Sequence, residues 1–74
     1  MAIGKIKRLQ DRAVGLALHE SQLEEYRGIE ERDFTPAPTT DEGRLRHLVL
    51  RGGIDLETFW IGWLTRAIGE LDAP

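Results

Sequence analysis

The two interior prolines of this chain, Pro36 and Pro38, lie close together near its middle and leave long proline-free stretches on both sides, 1–35 and 39–73. Proline cannot continue a helix, and it restricts the residue before it to extended backbone. The segment around these prolines is therefore expected to be an extended connector. Helix-forming residues predominate on both sides of it, and no strand pattern occurs. These features predict an all-α fold, with 1–74 as one small helical domain.

The first half of the chain predicts one long helix over about 2–32, followed by a Pro/Thr linker over 33–39. Apolar residues recur there at spacings of three, four or seven, which is typical of an apolar helical stripe. They are Ile6, Leu9, Ala13, Leu16, Leu23 and Tyr26. A continuous helix of this length extends about 45 Å. The rest of so short a chain does not easily cover it.

The second half predicts a short helix over about 40–51 and an amphipathic helix over about 55–71. Thr39 with Glu42 is typical of a capping box, Gly52-Gly53 of a helix stop, and Asp55 of the next N-cap. Leu45, Leu48 and Val49 are expected to face inward. The last helix carries an apolar stripe of Leu56, Phe59, Trp60, Trp63, Leu64, Ala67, Ile68 and Leu71. We expect a helical hairpin or bundle completed by oligomerisation.

Size and charge favour a homo-oligomer, most simply a dimer. A chain of 74 residues with no cysteine has no disulfide to supplement a small core. Residues 1–19 hold four basic residues against one acidic residue, whereas residues 20–33 hold six acidic residues against two arginines. Antiparallel pairing of residues 2–32 with the same helix of a second subunit would match these charges. The apolar stripe Ile6–Tyr26 would then form the interface. The alternative is that this helix folds back on 56–71 within one chain.

Two further surfaces are candidates for contact with another protein. The first is aromatic, and it is either core or a partner hot spot; its members are Phe59, Trp60, Trp63 and Leu64. The second is acidic, and it is either a partner surface or a solvated helix face; its members are Glu24, Glu25, Glu30 and Glu31.

Two other functions fit parts of the pattern less well. Residues 44–66 resemble a helix-turn-helix in spacing, but the second helix would begin with Asp55 and Glu57, which repel phosphate. The net charge of −3 also argues against nucleic acid as a partner. An anion or nucleotide site is the other alternative, with Gly52-Gly53 as a backbone nest. Its basic residues would be Arg44, Arg46 and Arg51.

Catalysis, metal binding and cofactor binding are not expected. His19 and His47 are the only histidines, and neither has a second ligand at metal-binding spacing. The uncharged run Thr58–Thr65 is far shorter than the roughly 20 residues that cross a bilayer. We therefore expect a cytoplasmic, non-catalytic protein–protein interaction module, such as an inhibitor, adaptor or assembly factor.

Overall fold

The chain forms two long helices joined by a short connector. The computed structural model describes the backbone of residues 2–72 and the side chains of residues 13–71. Helix α1 spans Ala2–Asp33 and helix α2 spans Asp41–Asp72. Three contacts fix their relative direction, because His19 meets Glu57, Tyr26 approaches Gly53 and Glu30 meets His47. The helices are therefore antiparallel, and the hairpin measures 56 × 16 × 15 Å. The predicted all-α helical hairpin is confirmed.

Local sequence explains where each helix ends at the connector. The Thr40 hydroxyl accepts a hydrogen bond from the backbone N–H of Gly43 at 3.1 Å, which caps α2, and Asp41 follows in its first turn. At the end of α1, the Glu30 carbonyl accepts hydrogen bonds from the Phe34 N–H at 2.9 Å and the Thr35 hydroxyl at 3.3 Å. The connector is thus 34–40 rather than 33–39, and the N-cap is Thr40 rather than Thr39.

The structure corrects the predicted break at Gly52-Gly53. Helix α2 continues through both glycines, and Asp55 lies inside it instead of capping a third helix. A glycine stop requires left-handed backbone, and no glycine in the described residues has a positive φ. Two glycines cost a helix about 1 kcal/mol each, which packing of α2 against α1 offsets. Close approach also favours glycine here, since a Cβ on Gly53 would lie 3.0 Å from Tyr26 Cε2.

A continuous α2 changes which of its faces is covered. The face towards α1 repeats at spacings of three and four, as in an antiparallel coiled coil. It consists of His47, Leu50, Ile54, Glu57, Ile61, Leu64 and Ile68, all buried or half-buried. Ile54 is 4% exposed and is the one buried apolar side chain among residues 13–71. The core is therefore a single thin seam.

The apolar residues of α1 divide between this seam and the surface. Leu16, Leu23 and Tyr26 are half-buried, whereas Ala13 is exposed. The side chains of Ile6 and Leu9 lie outside the described residues. The predicted stripe therefore contacts α2 of the same chain, which is the alternative that the sequence left open. No stretch of α1 or α2 within the described residues combines the length and apolar character needed to cross a bilayer.

Candidate association surface

The side of α2 that faces away from α1 is apolar and exposed. We call this surface the α2 outer face; it consists of Leu45, Leu48, Val49, Gly52, Leu56, Phe59 and Trp63. The exposed fraction of its large side chains runs from 48% at Trp63 to 71% at Val49. Contiguous exposed apolar surface of this kind is typical of an interaction site. The inward orientation predicted for Leu45, Leu48 and Val49 is therefore corrected.

The outer face has the spacing of a second coiled-coil seam. Leu45, Val49, Gly52, Leu56, Phe59 and Trp63 follow one another at steps of four, three, four, three and four. Such steps keep side chains on one stripe that can pack along a straight partner helix. Helix α2 therefore carries two apolar seams on opposite sides, of which α1 covers one.

Aromatic contacts organise one end of the outer face. The rings of Phe59 and Trp60 meet edge to face with centroids 5.3 Å apart, and those of Trp60 and Trp63 do so at 6.0 Å. Trp60 is 37% exposed and lies at the border between the outer face and the hairpin seam. The predicted aromatic group is thus divided, because Leu64 is half-buried against α1 while Phe59 and Trp63 are exposed.

Two histidine–glutamate pairs cross the seam between the helices. The Nδ1–H of His19 donates to Glu57 Oε2, and the Nε2–H of His47 donates to Glu30 Oε2 at 2.7 Å. Glu57 is the one buried charged residue among residues 13–71. Arg51 Nη1 adds a contact to Glu30 Oε1 at 3.3 Å. Sequence reasoning missed both pairs, although each histidine and its glutamate lie at matching distances on either side of the connector.

These contacts reassign several of the predicted partner and ligand residues. Glu30 is held by His47 and Arg51, so it does not belong to a free acidic surface, whereas Glu24, Glu25 and Glu31 are exposed. Glu24 also borders a groove of about 390 Å³ between the helices; its other lining residues are Glu20, Leu23, Arg27 and Ile61.

The alternative binding sites are not assembled. Arg51 is engaged by Glu30, Arg46 pairs with Glu42 at 2.7 Å, and Arg44 is exposed. The helical backbone at Gly52-Gly53 forms neither an anion nest nor the turn of a helix-turn-helix, because α2 is uninterrupted. Among the residues whose side chains are described, no three histidine, aspartate or glutamate groups cluster as metal ligands would.

Glu30 predicts a specific response of stability to acid. The hydrogen bond from His47 holds the pKa of the Glu30 carboxyl below its ordinary value, and the nearby Arg51 charge acts in the same direction. A lowered folded-state pKa contributes stability above the unfolded value, about 4.3, and that contribution is lost as pH falls through the folded pKa. Glu30→Gln should therefore flatten the decline in the free energy of unfolding between about pH 5 and pH 3. Urea titrations across this range measure the slope.

Exposed Glu31 provides the matched control for this prediction. Glu31→Gln removes the same charge one residue away and should keep the slope of the wild-type chain. An equal slope for Glu30→Gln and the wild-type chain would contradict the prediction.

The fold and its surface define a class: an all-α helical hairpin with one long apolar face left uncovered by its own chain. Within that class, the chain belongs to the family described as Virulence activator alpha C-term, whose model matches residues 6–72. No curated protein and no solved structure matches the chain significantly. The family description names an activator, which makes the hairpin a small domain related to virulence activators.

Proposed function

We propose that this chain is a non-catalytic, self-associating element of a regulatory protein, and that it pairs with a second copy through the α2 outer face. The single observation that carries the proposal is the row of exposed apolar side chains from Leu45 to Trp63. The family description, which names an activator, supports the regulatory context. This surface replaces the α1 stripe as the candidate oligomer interface, because α1 packs on α2 of its own chain.

Charge favours an antiparallel arrangement of the two α2 helices. Asp41 precedes the outer face and Arg66 follows it, and both continue its three–four spacing at exposed positions. Antiparallel pairing sets Asp41 beside Arg66 of the partner subunit, whereas parallel pairing sets each charge beside its own copy. Exposed ion pairs contribute only about 0–1 kcal/mol. They therefore select orientation, while the apolar side chains supply the affinity.

Side-chain size favours the same arrangement. Residue 54 is the midpoint between Leu45 and Trp63, so a two-fold axis near it sets Gly52 opposite Leu56 of the partner subunit. A small residue facing a large one lets the helices approach closely and leaves no void. Parallel pairing would instead set Gly52 against Gly52 of the partner subunit and leave a gap.

Sedimentation equilibrium followed by disulfide cross-linking tests this proposal. The chain has no cysteine, so single cysteines report pairing without interference. Gly52→Cys mixed with Leu56→Cys should form a disulfide-linked pair under mild oxidation, because the antiparallel arrangement sets residue 52 opposite residue 56 of the partner subunit. Leu45→Cys should not, because antiparallel copies of residue 45 are about 27 Å apart along the axis, whereas a disulfide needs Cα atoms within about 7 Å.

These variants distinguish the possible outcomes. Cross-linking of Leu45→Cys with itself as efficiently as Gly52→Cys with Leu56→Cys would contradict the antiparallel arrangement. A mass of 8.4 kDa for the unmodified chain at high micromolar concentration would contradict self-association itself.

A further inference from the structure

Trp60 connects the interior of the hairpin to the α2 outer face. On one side its ring stacks on His19, with centroids 6.1 Å apart and an interplanar angle of 15°. On the other side it meets Phe59 and Trp63 edge to face, at interplanar angles of 73° and 84°. One continuous set of ring contacts therefore runs from α1 to the outer face.

His19 is itself held in place across the seam. Its Nδ1–H donates to the carboxylate of Glu57, whose side chain is 12% exposed, while the imidazole is 33% exposed. A hydrogen bond to a buried carboxylate restricts the ring plane of the histidine. The stacked Trp60 ring is restricted in turn, because aromatic pairs favour a limited set of geometries.

We infer that the His19–Glu57 pair acts through Trp60 to position Phe59 and Trp63 for self-association. This inference rests on the proposed function, and it makes His19 and Trp60 positioning residues. Side chains that are ordered before binding lose less conformational entropy when a partner immobilises them. The pair inside the hairpin therefore sets the affinity of a surface that it does not itself form.

The second histidine–glutamate pair provides an internal control. His47 donates to Glu30 as His19 donates to Glu57, but its ring stacks on Phe34, with centroids 5.0 Å apart and an interplanar angle of 7°. Phe34 belongs to the connector and not to the outer face. Loss of the His47 ring should therefore affect the hairpin without affecting self-association.

The experiment compares His19→Gln with His47→Gln. Glutamine keeps an N–H donor for the carboxylate and removes the ring. We expect the dimer dissociation constant, measured by sedimentation equilibrium, to rise about tenfold for His19→Gln and to stay within about twofold of wild type for His47→Gln. A purely structural role for both histidines would lower the thermal midpoints of both variants and leave their dissociation constants alike.

Each result leads to a definite conclusion. Equal dissociation constants for the two variants, in a chain that does dimerise, would overturn this inference and leave the proposed function standing. A monomeric wild-type chain would overturn both. If His19→Gln loses its helical circular dichroism, Trp60→Leu is measured in its place. That substitution removes the ring that stacks on His19 and keeps the hydrogen bond between His19 and Glu57. An unchanged dissociation constant for Trp60→Leu would then overturn the inference.

Discussion

Phe59→Glu should convert the self-associated chain into a folded monomer, with a dissociation constant raised at least about 100-fold. Phe59 is 58% exposed within one chain, so the substitution removes little that the hairpin needs. In the proposed pair, the new carboxylate would be buried unpaired against Val49 of the partner subunit, once on each side of the two-fold axis. Burial of an unpaired charge costs several kcal/mol, and about 2 kcal/mol of apolar burial is lost as well.

Sedimentation equilibrium checks this prediction, and circular dichroism verifies that the variant keeps its helices. Ser21→Glu adds the same charge at an exposed position of α1 and should leave the mass distribution of the wild-type chain unchanged. Persistence of the dimer in Phe59→Glu would show that the outer face is not the interface.

Ile54→Ala should lower the free energy of unfolding of the hairpin by about 3 kcal/mol. Ile54 lies at the centre of the seam between the helices and is 4% exposed. Its truncation leaves a cavity that the half-buried neighbours fill only in part. For a domain of this size, the loss corresponds to a fall of about 15 °C in the thermal midpoint. The thin seam has no second buried apolar residue among residues 13–71 to compensate.

The measurement is cleanest in the Phe59→Glu background, where folding is not coupled to association. Leu48→Ala is the matched control, because Leu48 is 67% exposed and its truncation should change the free energy of unfolding by less than about 0.5 kcal/mol. Similar losses for the two substitutions would contradict the assignment of Ile54 to the core.

The candidate surface could be predicted only in part. The spacing of Phe59, Trp60 and Trp63 indicated a helical apolar group, and Trp enrichment at interfaces suggested a hot spot. Periodicity alone could not tell which side of α2 meets α1, because both sides are apolar at coiled-coil spacing. The seam contains Ile54, Ile61 and Leu64, and the outer face contains Leu56 and Phe59.

The sequence by itself determined the helical class and the place of the turn. The prolines at 36 and 38 stop the helix there, and segments rich in helix-forming residues lie on both sides of them, so these properties are local. Only the tertiary structure decided that α2 passes through Gly52-Gly53. The cost of a glycine is local and small, whereas the packing that offsets it comes from α1.

The tertiary structure also decided which residues form the site. It paired His19 with Glu57, placed Trp60 against His19, and left the outer face uncovered. These contacts join residues 38 to 41 positions apart in the chain. Which residues meet depends on the register of the two antiparallel helices, and packing along the whole seam fixes that register. No local pattern of spacing or propensity specifies it.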